Sequence, residues 1–349
     1  MFSLLDQEKL KTFLKAKKIE AYRFGQINRA LYQDLVSEIA EITTLPADLR
    51  ALIKDNFFIH ALTKIQSQSD KNAQSEKVVF QTETSEKIEA VLLKHLTGRI
   101  TVCVSTQVGC PNRCLFCATG QMGFKRNLEF YEIVEQVLHF ARQLKQTGQQ
   151  VRNVVLMGMG EPLLNYPNVK KALQIINDQK CLGIGARHLT LSTCGIIPQI
   201  LELARDFPQV NLAISLHAPN DALRTKLMPI NLTYSLKELM QTLDQYVKIT
   251  NKRIFYEYIL LKDVTDTPEL AQQLGQLLKV RLAHVNLIRY NQTDGITKLA
   301  PSSQKNILKF QSILEQYGVP STVRMSLGEE IQAACGQLAG KNKFSITNH

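Results

Sequence analysis

From about residue 100 onward the chain repeats a rhythm of strand, loop and helix, and this rhythm constrains the fold more than any other feature. Six such units predict a parallel sheet covered by helices and curved into a full or partial α/β barrel. The predicted strands are Ile100–Val104, Val154–Met157, Leu189–Ser192, Val210–Leu216, Ile254–Leu260 and Val285–Ile288, with Thr322–Met325 as a candidate seventh. In such barrels the catalytic residues lie at the carboxyl ends of the strands, so the residues after each strand are the first candidates for an active site.

The N-terminal part of the chain has the pattern of a small helical module. Apolar residues recur at helical spacing in two successive stretches, and a proline fits the first turn of a third helix. These residues are Leu10, Phe13 and Leu14, then Ile27, Leu31, Leu35 and Ile39, and finally Pro46. Capping of the barrel and contact with nucleic acid are equally good interpretations of this module.

A polar segment separates the helical module from a β-rich region. Gln66–Lys77 has one alanine as its only apolar residue, which predicts a loop or linker. Val78–Phe80 and Ile88–Leu93 are short β-rich runs and predict an antiparallel extension of the sheet. We therefore expect a helical accessory domain at residues 1–65, a linker and β extension at 66–98, the barrel at 99–330, and a C-terminal loop and tail at 331–349.

Composition and charge narrow the class of protein. The 42 Lys and Arg residues outnumber the 31 Asp and Glu residues, and the formal net charge of +11 suits a polyanionic partner, with a merely basic soluble protein as an equally good interpretation of the charge alone. No run of 18 apolar residues occurs, and the N-terminus leads into charge rather than a signal-peptide core. Seven cysteines, an odd number, do not suggest a disulfide framework. We expect a cytoplasmic protein that does not associate with a membrane.

The strongest local signal is a run of three cysteines with C-x3-C-x2-C spacing directly after the first predicted barrel strand. Cys110, Cys114 and Cys117 can hold three irons of a [4Fe–4S] cluster, since soft thiolates suit iron–sulfur chemistry. Three protein ligands leave the fourth iron open for another chelator. Zinc is the alternative, but a closed structural zinc site needs a fourth ligand, and the nearest histidine in sequence, His95, lies outside the usual spacing.

The cysteine run resembles that of the radical S-adenosylmethionine (SAM) superfamily, and further segments narrow the match. Over essentially its whole length the chain resembles the RlmN/Cfr family of radical-SAM adenosine methyltransferases. The matching segments are Cys103-Val-Ser-Thr-Gln-Val-Gly-Cys110, Met157-Gly-Met-Gly-Glu-Pro162, Leu191-Ser-Thr, Ser215-Leu-His217, Met228-Pro-Ile-Asn231, His284-Val-Asn-Leu-Ile288 and Ala334-Cys-Gly-Gln-Leu338. The resemblance implies a partial (β/α)6 radical-SAM barrel, one [4Fe–4S] cluster per chain on the three cysteines, and SAM chelated at the open iron.

The resemblance also implies a set of SAM-binding residues at strand ends. They are Gly160, Glu161, Ser192, Ser215, Leu216, His217 and Asn291. A carboxylate such as Glu161 can accept hydrogen bonds from an ammonium group, although a polar turn before Pro162 is the alternative. For His217 a core position is equally good, so that its backbone matters more than its ring.

Two further cysteines and a glutamate take roles from the resemblance. Cys335 is expected to receive a methyl group from one SAM and to carry its carbon to the base as a radical. Cys103 then attacks the Cys335 sulfur, and the resulting disulfide releases the methylated base. Glu89 matches the proton acceptor, with a solvated strand glutamate as the alternative. Gly336 and Gly340 are consistent with a mobile loop that moves Cys335 between sites.

Other residues carry weaker expectations. Cys181 and Cys194 match no position that the chemistry requires, and packing is their expected role. Phosphate contacts or service to the cluster are the alternatives for Lys125 and Arg126, beside Phe124, and contact with RNA is a hypothesis for Arg289 and Tyr290.

By resemblance, the expected reaction is methylation at C2 of an adenosine in 23S rRNA, at the peptidyl-transferase centre, and of the adenosine 3′ of the anticodon in tRNA. A Cfr-type methylation at C8 of the same rRNA adenosine, which confers antibiotic resistance, is the first alternative. A non-catalytic iron–sulfur or zinc RNA-binding protein is the second. The first reading implies a monomer that receives electrons from a donor such as flavodoxin or ferredoxin.

Overall fold

A ten-stranded mixed sheet forms the centre of the molecule. The computed structural model describes residues 1–292, 296, 298–324 and 327–338. Its strands are β1 (Phe2–Ser3), β2 (Phe57–Phe58), β3 (Leu62–Ser69), β4 (Ser75–Thr82), β5 (Lys87–Lys94), β6 (Ile100–Cys103), β7 (Gln107–Gly109), β8 (Phe124–Asn127), β9 (Asn153–Leu156), β10 (Leu189–Thr193), β11 (Asn211–Ser215), β12 (Ile254–Leu260), β13 (Ala283–Arg289) and β14 (Ser321–Arg324). The order across the large sheet is β14-β13-β12-β11-β10-β9-β6-β5-β4-β3.

Helices follow most of the barrel strands and cover the sheet. They are α1 (Gln7–Ala16), α2 (Tyr22–Tyr32), α3 (Ala47–Asn56), α4 (Ala118–Gln121), α5 (Phe130–Lys145), α6 (Tyr166–Asn177), α7 (Ile197–Asp206), α8 (Asp221–Leu227), α9 (Leu236–Thr250), α10 (Pro268–Leu278) and α11 (Gln304–Gln316). Short 3-10 turns lie at Ile39–Glu41, Pro162–Asn165, Ala186–His188, Pro229–Leu232 and Glu329–Ile331. No helix among the described residues is both long and apolar enough to span a membrane.

The parallel half of the sheet confirms the predicted barrel. Strands β6, β9, β10, β11, β12 and β13 are parallel neighbours, and β14 adds the candidate seventh strand. The predicted strands agree with the observed ones to within two residues at each end, although Met325 lies outside the described residues. The apolar stripe of α5 is buried, with Ile133, Val137 and Phe140 at 0% exposure, because this face of the helix packs on the sheet.

The four strands β3 to β6 are antiparallel and form the predicted β extension. The expectation of a loop or linker over Gln66–Lys77 is wrong, because β3 runs to Ser69 and β4 begins at Ser75. Strand β3 lies at the edge of the sheet and most of its side chains face solvent, so it requires few apolar residues. The sheet is therefore continuous from the extension into the barrel.

The N-terminal module is helical as predicted, with two differences. The second helix ends at Tyr32 and does not continue to Ile39, because Leu35 has a φ of 56°, which a helix cannot accommodate. Strands β1 and β2 form an unpredicted parallel pair that brings the two ends of the module together. Pro46 directly precedes α3, in agreement with its predicted place at the start of a helix. The domain boundaries at residues 65, 98 and 330 stay a prediction.

Candidate active site

The three-cysteine run forms a compact loop between β7 and α4. Cys110 follows β7, and its N–H donates to the Gly123 carbonyl at 3.0 Å. Cys117 is the last residue before α4, and its N–H donates to the Cys114 carbonyl at 3.2 Å. Gly109 has a φ of 75°, and a Cβ there would lie 1.8 Å from the Gly123 carbonyl oxygen, so only glycine allows this close approach. The backbone thus presents all three thiols from one short turn.

The electrostatics of these thiols fit a cluster site. Burial raises the pKa of Cys110 to about 12, with Glu161 and Cys117 adding to the effect. Burial, followed by the charges of Cys117 and Cys110, raises the pKa of Cys114 well above its ordinary value. Three thiolates so close together repel one another, and bound iron offsets that repulsion. The site therefore favours a cationic group over three bare thiolates.

The arrangement also bears on the zinc alternative. In the described ranges no three His, Cys, Asp or Glu side chains are grouped as ligands of a single metal ion. A cubane binds each thiolate through a different iron, so its protein ligands do not have to converge on one point. His95 contacts the Thr101 hydroxyl at 3.2 Å, which engages its ring outside the cysteine loop. The three-cysteine loop thus fits a [4Fe–4S] cluster.

Gly160 and Glu161 lie behind the cysteine loop, in the turn after β9. Gly160 has a φ of 101°, and a Cβ there would lie 2.5 Å from the Cβ of Gln107. The Glu161 carboxylate accepts hydrogen bonds from the backbone N–H groups of Cys194, at 2.8 Å, and Leu163, at 3.1 Å. The carboxylate therefore caps the 3-10 turn at Pro162–Asn165, as the turn alternative expects, and burial raises its pKa. Binding of SAM by this pair stays a prediction.

The other predicted SAM residues occupy neighbouring strand ends. Ser192 lies on β10, and Ser215 on β11 is in register with Glu257 on β12, so the two side chains share a sheet face. The adjacent Tyr258 packs on Phe310 of α11 with ring centroids 5.0 Å apart, which marks the opposite face as the outer one. Ser215 and Glu257 consequently face the interior of the barrel.

His217 connects the cysteine loop to the barrel. Its φ is 58°, and its Nδ1 accepts a hydrogen bond from the Ile259 N–H at 3.1 Å. The ring packs edge-on against Phe116, between Cys114 and Cys117, with centroids 4.7 Å apart. Burial, then the charge of Arg224, lowers the pKa of His217 to about 3, so the ring is neutral. The ring thus has a structural role, and the backbone N–H groups of Leu216 and His217 donate to the Glu257 carbonyl at 3.1 and 3.2 Å. Contact of either residue with SAM stays a prediction.

The C-terminal segment docks on the helix that follows the cysteine loop. The Ala118 N–H donates to the Gly336 carbonyl at 2.8 Å, and the Thr119 hydroxyl donates to the Leu338 carbonyl at 2.7 Å. Asn291 donates from Nδ2 to the Cys335 carbonyl at 3.4 Å. The segment described here ends at Leu338, so Gly340 and the tail lie outside the described residues. Cys335 is held beside the three-cysteine loop.

Cys335 and Cys103 are brought together in the barrel. Both are free thiols. Burial raises the pKa of Cys103 to about 12, and the charge of Cys335 is the next largest cause. Cys335 is solvent-exposed, yet burial within the surrounding protein raises its pKa, with Glu257 and Cys117 adding to the shift and Arg324 opposing it. Cys335 therefore keeps solvent access while it lies among residues of the barrel.

Glu89 lies on the same face of the sheet as Cys103. Strand β5 pairs with β6 so that Val91 is opposite Cys103, and Glu89 is two residues along on the same face. The Glu89 side chain is 2% exposed, and its Oε1 lies 3.9 Å from Nζ of Lys77. The expectation of a solvated strand glutamate is therefore wrong. The structure brings Glu89, Cys103 and Cys335 into one region beside the three-cysteine loop.

Sequence reasoning did not find three charged residues of this region, namely Lys77, Glu257 and Arg324. Glu257 is buried, its Oε1 accepts from Asn286 at 2.8 Å, and its Oε2 has no hydrogen-bond partner within the part of the chain that the structure describes. Each of these residues lies on a strand at a position that faces inward. A charged residue at an inward position of a predicted strand is the signal that could have identified them.

Several weaker expectations change. Arg126 donates to Glu132 at 2.8 Å and to Glu86 at 3.2 Å, so its guanidinium stabilises the β8–α5 connection. Tyr290 is 1% exposed and is not available to stack on RNA, whereas Phe124 is 46% exposed. Cys181 and Cys194 are buried as expected. Cys194 nevertheless lies close to the cysteine loop, since Asn112 on that loop donates to its sulfur at 3.0 Å.

Fold and site together define a radical-SAM enzyme, and comparison with known proteins agrees. The model of the Radical SAM superfamily matches residues 104–274. The crystal structure of a radical SAM methyltransferase from Sphaerobacter thermophilus superposes with a TM-score of 0.95 at 40% identity, covering 98% of this chain and 100% of that one. This chain is accordingly a SAM-dependent radical methyltransferase.

Curated relatives specify the family. A probable dual-specificity RNA methyltransferase RlmN from Carboxydothermus hydrogenoformans is 43% identical over 97% of each chain. A relative of the same name from Dictyoglomus thermophilum is 42% identical, over 95% of this chain and 94% of its own. The chain belongs to the RlmN family.

Proposed function

We propose that the protein methylates C2 of an adenosine in 23S rRNA, at the peptidyl-transferase centre, and C2 of the adenosine 3′ of the anticodon in tRNA. The names of the relatives support RNA as the substrate, and the net charge of +11 is compatible with a polyanion. The observation that carries the proposal is that Cys103 and the segment of Cys335 meet at one face of the sheet. Lys77 shares that face with Cys103 and donates to the carbonyl of Gln332, three residues before Cys335. Two thiols are needed only if one carries the carbon and the other releases it.

The cluster would be held by Cys110, Cys114 and Cys117. SAM would bind beside it, against the predicted SAM-binding residues Gly160, Glu161, Ser192, Ser215, Leu216, His217 and Asn291. A bound [4Fe–4S] cluster supplies the electron that cleaves SAM into methionine and a 5′-deoxyadenosyl radical. The residues of the chain bind, orient and shield these groups. Cys335 is exposed to solvent, so a methyl group would be able to reach its sulfur.

Three residues divide the remaining chemistry. Cys335 first accepts a methyl group on its sulfur. The 5′-deoxyadenosyl radical would take one hydrogen atom from that group, and the remaining carbon radical would bond to the ring carbon, so that Cys335 holds the base through a methylene bridge. Glu89 accepts the proton that leaves the ring carbon, which is the requirement for replacing C–H by C–CH3, and the one electron released with it would return to the cluster. The Cys103 thiolate then attacks the Cys335 sulfur. The sulfur–sulfur bond forms as the sulfur–carbon bond breaks, and the bonding pair leaves with the carbon, which takes up a proton to become the methyl group.

The base must leave its stack to reach these residues. An enzyme that acts on a ring carbon inside folded RNA extrudes the nucleotide into a pocket. Lys125 and Phe124 are exposed on β8, next to the cysteine loop, and are suited to phosphate contact and to stacking, respectively. We further propose a cytoplasmic monomer that receives electrons from a flavodoxin or ferredoxin.

The deciding experiment is mass analysis of the product nucleoside. Full-length protein is reconstituted anaerobically with iron and sulfide, then incubated with SAM, a reductant and unmodified rRNA or tRNA. We expect 2-methyladenosine together with 5′-deoxyadenosine. 8-Methyladenosine would replace the proposal by the Cfr-type reaction. A protein that binds only zinc and forms no 5′-deoxyadenosine would establish the non-catalytic alternative.

A further inference from the structure

A buried lysine bridges the proposed proton acceptor and the segment that carries Cys335. The Lys77 side chain is 4% exposed and the Glu89 side chain 2%, with Nζ and Oε1 3.9 Å apart. The same ammonium donates a hydrogen bond to the carbonyl oxygen of Gln332 at 3.2 Å. Gln332 lies three residues before Cys335. One cation therefore contacts both parts of the proposed machinery.

Strand register explains why this lysine points inward. Strand β4 pairs with β5 so that Lys77 is opposite Val91 and Val79 is opposite Glu89. Val91 in turn is opposite Cys103 on β6. Directly opposed residues of antiparallel strands share a face, so Lys77, Glu89 and Cys103 all lie on the face that carries the site. A shift of one residue would turn the lysine to the other face.

The burial of Lys77 is costly, and packing alone does not require it. Burial lowers the pKa of Lys77, and the charge of Glu89 opposes that shift. A buried ion pair is seldom more stabilising than apolar residues of the same volume, so its retention points to a role other than stability. The neighbouring pair of Lys64 and Glu76 is a useful contrast, because it lies 4.0 Å apart with the lysine side chain 43% exposed.

We propose that Lys77 is a positioning residue that keeps Glu89 ionised towards the reacting ring carbon and docks the Cys335 segment through the Gln332 carbonyl. This inference rests on the proposed function. Lys77 would act through Glu89 and Gln332. The ionised state of the proton acceptor would then depend on the same cation that holds the segment of Cys335. Docking of the segment and readiness of the base are thereby coupled.

Other groups of the region also bear on the ionisation of Glu89. Cys103 shares its sheet face from β6, and Arg324 on β14 acts on Cys335 of the C-terminal segment, whose pKa it lowers. Burial raises the pKa of Cys103, so the resting thiol adds no charge beside Glu89 and must lose its proton before it attacks the Cys335 sulfur. Lys77 places its ammonium 3.9 Å from Oε1 of the Glu89 carboxylate. Its removal is expected to raise the pH at which Glu89 loses its proton.

The test separates proton transfer from product release. In a Cys103→Ala background the RNA adduct is trapped, so loss of deuterium from RNA deuterated at adenosine C2 reports the step at Glu89 alone. The variants are Lys77→Met, which keeps the length of the side chain, Lys77→Arg, which keeps its charge, and Lys64→Met as the matched surface control. Hydrogen–deuterium exchange of amides 327–338 in the full-length protein reports docking, and thermal unfolding monitors integrity.

The rate of deuterium loss from adenosine C2 falls at low pH, where Glu89 is protonated. In Lys77→Met we expect this fall to begin at a pH higher by about one unit or more, and we expect amides 327–338 to exchange faster. Lys77→Arg and Lys64→Met should resemble the parent in both measurements. Either measurement at its parental value in Lys77→Met overturns the inference, which requires both contacts. If the Cys103→Ala protein forms no RNA adduct and the wild-type protein yields no methylated adenosine, the proposed function itself is refuted.

Discussion

Asn291 donates a hydrogen bond to the backbone carbonyl of Cys335 at 3.4 Å, and this contact joins a predicted SAM-binding residue to the predicted methyl carrier. Asn291 follows β13, while Cys335 lies in the C-terminal segment that packs on α4. The side chain that we assign to SAM binding therefore also contacts the backbone of the segment that carries Cys335.

Replacing the carrier should abolish the reaction without affecting the cluster. Cys335→Ala removes the sulfur that accepts the methyl group, and we expect product formation to fall by about a thousandfold or more. The iron content and the cluster absorbance should remain those of wild type, because Cys110, Cys114 and Cys117 are unchanged. Product at a wild-type rate would refute the role of Cys335.

Replacing the second thiol should stop the reaction one step later. Cys103→Ala leaves no nucleophile to attack the Cys335 sulfur, so RNA should remain covalently attached through that sulfur. Denaturing gels and mass analysis of the peptide that contains Cys335 would show the adduct. Cys181→Ala is the control, since Cys181 is a buried thiol that hydrogen-bonds to Asn28 and Gln7 in the N-terminal module. Free methylated RNA from Cys103→Ala at normal rates would contradict the assignment.

The turn behind the cysteine loop depends on a glycine. Gly160→Ala combines a φ of 101° with a Cβ only 2.5 Å from the Gln107 side chain. We expect the free energy of unfolding to fall by about 1–3 kcal/mol, as for other strained residues. Chemical denaturation measures it, with Gly185→Ala as the control, because Gly185 has a φ of −56° and its nearest neighbour would lie at 3.6 Å. Equal stability of the two variants would show that the turn relaxes freely.

The buried histidine should make the protein sensitive to acid. The pKa of His217 falls from 6.5 to about 3 on folding, so the unfolded chain binds a proton that the folded chain does not over that window. The stabilisation is therefore present above pH 6.5 and is lost as the pH falls towards 3, by up to about 1.4 kcal/mol per pH unit.

His217→Asn tests this dependence, since asparagine tolerates the positive φ and offers an acceptor for the Ile259 N–H but does not titrate in this range. Unfolding curves from pH 7 to pH 4 should show a shallower loss of stability for the variant than for wild type. Parallel pH dependences would mean that His217 is not the titrating group.

The barrel could be predicted from the sequence because its strands are short apolar runs and helical stripes follow most of them. Strand β3 and the first residues of β4 could not, since an edge strand with solvent-facing side chains has the composition of a loop, whereas Val78–Phe80 within β4 was predicted as a β-rich run. The three cysteines that we assign to the cluster are close in sequence, and their spacing identified them. Lys77 could not be identified in this way, because the role we propose for it depends on register with Val91 and on a contact with Gln332, far along the chain.

The two backbone contacts of the C-terminal segment limit how the carrier can travel. Lys77 holds the carbonyl of Gln332 on one side of Cys335, and Ala118 holds the carbonyl of Gly336 on the other. Because both flanks are held by hydrogen bonds, we expect Cys335 to change orientation by rotation of its own backbone and not by displacement of the whole segment. The left-handed backbone of Gly336, with a φ of 86°, supplies a joint for that rotation. We therefore expect the methyl donor and the RNA base to reach the Cys335 sulfur at the same place, one after the other.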